Sequence, residues 1–168
     1  RARAGAAWPD LSDEALAARA EDWLVPALRG RRRLADLAGP VLRDALAALL
    51  PWERMAELDR LAPARFIAPA GNSVAIDYSS GEPVVALPVQ NLFGTAAHPA
   101  VLGGAVPIVF ELLSPARRPI QVTRDLPAFW RGSWRDVRAD MRGRYPKHAW
   151  PENPAEAAPL TGAKRRPG

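Results

Sequence analysis

The sequence predicts an α+β protein: a small N-terminal helical bundle, an antiparallel sheet or small barrel, then a C-terminal helix and an extended tail. Two changes of apolar periodicity carry this expectation. Helical spacing gives way to strict alternation near Pro63, and helical spacing returns near Asp125. The length of 168 residues suits one mid-sized domain or two small ones. The expected organisation is a helical segment over residues 1–62, a β-rich module with a terminal helix over 63–150, and a disordered tail over 151–168.

Ser12 is placed to cap a first helix in which Leu16, Ala20, Trp23, Leu24, Ala27 and Leu28 recur at helical spacing, and Pro26 predicts a break or kink late in it. Gly30 and Arg31–Arg33 connect this helix to a short second one, begun by Leu34 and Leu37 and stopped by Gly39 and Pro40. A third helix carries Leu42, Leu46, Leu49 and Leu50 on one face up to Pro51, and Met55, Leu58 and Leu61 mark a fourth, closed by Pro63. Short helices joined by short connections make a small bundle.

Beyond Pro63, a turn at Ala70–Ser73 leads into Val74, Ile76 and Tyr78, which alternate with smaller or polar residues. Val85, Leu87 and Val89 alternate next, with Pro88 confining that strand to an edge or a bulge. Gly94–Gly104 reads as a loop or one short helix. Val106, Ile108, Phe110 and Leu112 alternate again, and Ser114–Arg118 turns the chain into Ile120 and Val122. Four or five strands without long intervening helices favour an antiparallel sheet or small barrel. Asp125, with Pro127 in the first turn, starts one helix expected to run to about residue 142, its apolar face made by Leu126, Trp130, Trp134, Val137 and Met141. The tail from Pro151 has four prolines and little apolar bulk with which to pack.

Charge is concentrated in one place. Residues 117–150 carry nine basic and three acidic side chains, whereas residues 1–62 carry ten of each. Such concentration favours an anionic partner, nucleic acid first, against the alternative of a solvated helix face. Arg131, Arg135, Arg138 and Arg142 form a stripe along the C-terminal helix, beside the apolar face. Arg144, Tyr145 and Lys147 extend it. These seven residues are the candidate nucleic-acid-binding set, with guanidinium groups for phosphates and an aromatic ring for unpaired bases. Trp130 and Trp134 are expected in the core. Arginines also clamp carboxylates of a neighbouring domain, so the stripe alone does not name its partner.

Much chemistry is excluded. The chain has no cysteine, which removes disulfides, thiolate metal sites and thiol catalysis and suits a cytoplasmic protein. His98 and His148 belong to no recognisable set of metal ligands and are expected to be surface or hydrogen-bonding residues. Ser114, Ser133 and Glu111 form no catalytic pattern, so no catalytic and no metal site is expected. No apolar run reaches the length of a membrane span. The chain opens on Arg1, which points to an excised fragment or a processed product.

Longer motifs carry a family resemblance. Glu111-Leu112-Leu113-Ser114-Pro115-Ala116, Arg118-Pro119-Ile120-Gln121-Val122-Thr123-Arg124-Asp125-Leu126, Phe129-Trp130 and Gly143-Arg144-Tyr145-Pro146-Lys147-His148-Ala149-Trp150-Pro151 closely resemble the C-terminal region of HrpB-type ATP-dependent helicases. Leu50-Pro51-Trp52, Leu58-Asp59 and Asn91-Leu92-Phe93-Gly94 fit the same region. The resemblance implies a bacterial, DEAH-like RNA helicase whose ATPase lies in two RecA-like domains upstream of this chain. ATP and Mg²⁺ would be used there, with no cofactor on this chain. In such helicases, helical-bundle and OB-like modules follow the motor and help form the RNA channel, so an OB-like barrel is the form it implies for residues 64–124. Single-stranded RNA and the upstream helicase domains are the partners implied, with no membrane. The region would either assist nucleic-acid binding or act as a structural or protein-docking module. Asp13-Glu14-Ala15 is not the acidic Mg²⁺ motif of helicases, for the chain has no phosphate loop and these acids sit in the first turn of an amphipathic helix.

Overall fold

In the computed structural model, which describes residues 8–37 and 39–161, the hydroxyl of Ser12 accepts from the Ala15 amide and opens α1 (Asp13–Ala18). The chain forms two compact units, Arg1–Arg60 and Leu61–Gly168. In the first, α1 is followed by α2 (Ala20–Leu28), a 3-10 turn at Leu34–Leu37, α3 (Pro40–Ala47), a 3-10 turn at Trp52–Arg54 and the start of α4 (Met55–Leu61). The break expected near Pro26 falls instead at Arg19, whose backbone leaves the helical region at φ −115°, ψ 23°. The Leu16 carbonyl there accepts from both the Arg19 amide and Nε1 of Trp23, which interrupts the helical ladder. Pro26 stays inside α2 because the helix ends two residues later, so the bond it forfeits lies in the last turn. Trp8 and Leu37 are buried in this unit, and the Arg54 guanidinium lies 4.2 Å over the Trp8 ring.

The second unit is built on three small ladders. β1 (Arg65–Ile67) and β2 (Ser73–Ala75) pair antiparallel, as do β4 (Ala100–Val101) and β5 (Val106–Pro107). The main sheet has the order β3-β6-β7, formed by β3 (Val84–Pro88), β6 (Val109–Leu113) and β7 (Pro119–Thr123). β6 and β7 are antiparallel, but β3 runs parallel to β6, with Val85 opposite Phe110 and Leu87 opposite Leu112. The expectation of an antiparallel sheet is corrected here. A parallel pair needs a crossover, and the 3-10 turn at Val89–Leu92 with the β4–β5 hairpin supplies it. Among the described residues the ladders do not join into one cylinder. Pro88 ends β3 on the sheet edge, where its missing N–H is harmless.

Alternation places Val85, Leu87, Phe110 and Leu112 on the buried face and Ala86, Glu111 and Val122 in one exposed cross-strand row. The buried face continues through Leu92 and Phe93 into the aromatic residues of the C-terminal helices as a single core. His98 ties the crossover to those helices. The Leu126 amide donates to its Nδ1 at 3.0 Å, so the proton sits on Nε2, which donates to the Ile108 carbonyl at 2.7 Å.

The expected disorder of the tail is corrected over residues 151–161. Pro154 is fully buried, the Gly94 amide donates to its carbonyl at 2.9 Å, and the Leu160 amide donates to the Gln90 carbonyl at 3.0 Å. Asn91 Nδ2 donates to the Leu160 carbonyl at 2.6 Å. Backbone hydrogen bonds hold this strap, which is why its lack of apolar bulk did not reveal it. The tail expected beyond Thr161 lies outside the described residues. Among the described residues, no helix is long and apolar enough to cross a membrane.

Candidate nucleic-acid interface

Five of the seven candidate residues lie on two helices where the sequence predicts one, and Tyr145 and Lys147 follow the second. Asp125 caps α5 (Leu126–Arg131), its carboxylate accepting from the Ala128 amide at 2.9 Å. The chain then bends at Gly132 (φ −105°, ψ −100°) before α6 (Trp134–Arg144). A Cβ at Gly132 would meet the Ala128 carbonyl at 3.2 Å, so the bend is packed tightly against the turn before it.

Five rings form the inner face. Trp134 lies 5.6 Å from Phe93, 6.1 Å from Phe129, 5.5 Å from Trp130 and 6.1 Å from Trp150, centroid to centroid. The three indole N–H groups of this face each find a carbonyl: Trp130 that of Thr95, Trp134 that of Pro151, Trp150 that of Tyr145. Trp130 and Trp134 are therefore core residues, as their spacing predicts, and offer no stacking platform to a base.

The cations divide into two groups. Arg131, Arg135 and Arg142 are exposed and pair with no carboxylate among the described residues. Lys147 is exposed in the turn after α6. Arg138 is committed elsewhere: its Nε donates to the Trp150 carbonyl at 2.9 Å and its NH2 group to Glu152 at 3.0 Å. Arg144 pairs with Asp140 one turn earlier at 2.9 Å, a solvated pair of little energetic weight. Tyr145 is half-buried, its hydroxyl 3.4 Å from Ser114 Oγ and its ring edge-on to His148. Four of the seven candidates thus remain open to a ligand. Two further exposed cations of the same basic segment, Arg117 and Arg118, outside the seven-residue candidate set, lie in the Ser114–Arg118 turn near Tyr145. Their charge was visible in the sequence, whereas the fold places their turn beside Tyr145.

The exposed arginines of this α+β module lie on its two C-terminal helices, and the comparisons identify its family. A family model described as ATP-dependent helicase C-terminal matches residues 23–154, and the chain belongs to that family. Over 159 residues it is 44% identical to the ATP-dependent RNA helicase HrpB of Escherichia coli (strain K12), covering 94% of this chain and 20% of the relative. The crystal structure of E. coli DExH-box NTPase HrpB superposes with a TM-score of 0.82 at 45% identity, covering 90% of this chain and 19% of that one. A crystal structure of the E. coli DEAH/RHA helicase HrpB gives 0.66 at 42% identity, with 85% and 18% covered. The chain spans about a fifth of the length of these relatives.

Proposed function

We propose that this chain is a non-catalytic accessory region of an ATP-dependent RNA helicase, and that it helps hold single-stranded RNA while motor domains outside this chain use ATP and Mg²⁺. The observation that carries the reading is the exposed, unpaired Arg131, Arg135 and Arg142, mounted on helices whose other face is locked by five packed rings. Desolvating a guanidinium is costly without an anion, and phosphates supply one at the spacing of a strand. The test is fluorescence anisotropy of the chain with single-stranded RNA at two salt concentrations. Reversal of Arg131, Arg135 and Arg142 to Glu is expected to weaken binding and to reduce the salt slope by roughly 2, at about 0.7 for each phosphate that is no longer neutralised. Unchanged affinity in the folded triple variant overturns the reading.

A protein-docking role is the second reading, and a different observation favours it. In the first unit Trp52 is 79% exposed and Val25 48% exposed. Apolar groups left open on small helices suit a protein surface. Association of the chain with the helicase motor fragment, weakened by Trp52→Ser with RNA affinity unchanged, supports that role.

A further inference from the structure

The order β3-β6-β7 leaves β7 at one end of the main sheet. Which of its backbone groups face outward follows from a hydrogen bond on the far side of β6. The Val109 amide donates to the Pro83 carbonyl at 2.8 Å, so Val109 directs its peptide groups toward β3. Alternation then turns the peptide groups of Phe110 and Leu112 toward β7, where Thr123 and Gln121 are their hydrogen-bonded partners. Glu111 and Val122, opposite each other between these pairs, exchange no hydrogen bond. The amide and carbonyl of Val122 therefore point away from β6, and they have no partner among the described residues. The other end of the sheet is better covered. On β3, Val84 exchanges hydrogen bonds with Asp77 in both directions at 2.8 Å, and Pro88 has no N–H to offer.

Val122 is 54% exposed and ends the cross-strand row of Ala86, Glu111 and Val122. The run Arg118-Pro119-Ile120-Gln121-Val122-Thr123-Arg124 places an arginine at each end of β7 and no carboxylate between them. Proline and flanking charge are devices that keep an edge strand from pairing with its own kind. Antiparallel pairing of two copies of β7 about Gln121 would set Arg118 of each copy beside Arg124 of the other, a repulsion repeated at both ends. The same charges favour an acidic occupant. Arg124 is already satisfied, bonded through Nε and its NH2 group to the Glu82 carboxylate. Arg117 and Arg118, just before the strand, are exposed and lack an ion pair among the described residues.

We propose that β7 is a docking edge for an extended acidic segment of a partner protein, which adds a fourth strand to the main sheet. The backbone of that segment exchanges hydrogen bonds with the outward amide and carbonyl of Val122. An apolar side chain beside Val122 covers it, and a carboxylate at the end nearest the Ser114–Arg118 turn meets Arg117 and Arg118. The edge is separate from the exposed arginines of α5 and α6, and the inference does not depend on the RNA reading.

The probe is a peptide with two Glu at each end around four alternating Thr and Val residues, blocked at both termini. Hydrogen exchange of the Val122 amide in the full chain is followed by ¹H–¹⁵N NMR with and without it. Saturating peptide is expected to slow Val122 exchange about tenfold or more, while Gln121, which already faces β6, changes less. The same peptide N-methylated at its four central residues keeps its charge but has no central donors, and should give no protection. Replacing its Glu by Lys should weaken binding about tenfold. Arg117→Glu with Arg118→Glu should reverse that preference, and binding of the Lys peptide then also shows that the variant is folded. Unslowed Val122 exchange, equal protection by the methylated peptide, or a peptide preference unaltered in the double variant overturns the proposal. Protection that rises with protein concentration alone assigns the edge to a second copy and overturns it. Protection by a single-stranded RNA decamer but not by the peptide assigns the edge to nucleic acid, with the same consequence.

Discussion

The guanidinium of Arg138 is fastened to the main chain of Trp150: Nε donates to the Trp150 carbonyl at 2.9 Å, across twelve positions of sequence. Trp150 is in turn buried against Trp134, so the bond links the exposed side of α6 to the core through the segment that follows the helix. The stripe of arginines is chemically uniform in sequence and divided in structure.

Arg138→Leu is expected to destabilise the second unit by about 1–3 kcal/mol, the range for losing hydrogen bonds from a charged donor. Arg135→Leu should stay within about 0.5 kcal/mol, as exposed positions without partners do. Urea denaturation midpoints of the two variants distinguish them, and the opposite ranking removes the structural role given to Arg138.

Trp134→Ala should cost about 3–5 kcal/mol, since the ring is 2% exposed and touches four other aromatic groups. Part of the cost is the Pro151 carbonyl, which loses its indole donor. Thermal unfolding followed by near-ultraviolet circular dichroism reads the loss directly, because the coupled rings carry the signal.

Gly94 holds φ +82°, and a Cβ there would stand 3.2 Å from the Ala157 carbonyl. Gly94→Ala therefore adds left-handed strain of about 1–2 kcal/mol and pushes against the strap. Limited proteolysis should cut residues 154–161 faster in this variant than in the parent. Equal rates would mean that the strap does not depend on this close approach.

Asp77 gives a pH dependence. Its carboxyl is held below its ordinary value by the Ser79 amide, which donates at 2.8 Å, and then by the Ser79 side chain, against some desolvation. A carboxyl lowered by folding stabilises fully above its unfolded pKa, and that contribution disappears as pH falls through the lowered folded value. Asp77→Asn keeps the turn and should flatten stability over this acid window. Urea titrations at successive acid pH values check the sign.

What was legible in the sequence was local. The Asp125 cap, the alternation of Val85 with Leu87 and of Phe110 with Leu112, and the inward phase of Trp130 and Trp134 each depend on neighbours within a turn or a strand. The parallel pairing of β3 with β6 depends on the route of the chain between them, which alternation does not encode. Composition concealed the strap because it is held by backbone groups of Gln90 and Gly94 and by the Asn91 side chain, each bonding a backbone group of the strap. For the candidate interface, helix phase was sufficient to leave Arg131, Arg135 and Arg142 outside. The partners of Arg138 and Tyr145 were out of reach, since they lie at Trp150, Glu152 and Ser114.

The strap has a consequence for the order in which the protein is made. The bond between Asn91 and Leu160 closes over 69 positions, and synthesis proceeds from the N-terminus at about 5–20 residues per second. The strands and the crossover therefore emerge from the ribosome seconds before the segment that satisfies their last amides. During that interval Asn91 and the Gly94 amide face solvent, and the Pro154 pocket is empty. A nascent chain paused before residue 154 lacks the three hydrogen bonds that Pro154 and Leu160 make to Gln90, Asn91 and Gly94. Completion of this closure is thus timed by the arrival of residues 154–160.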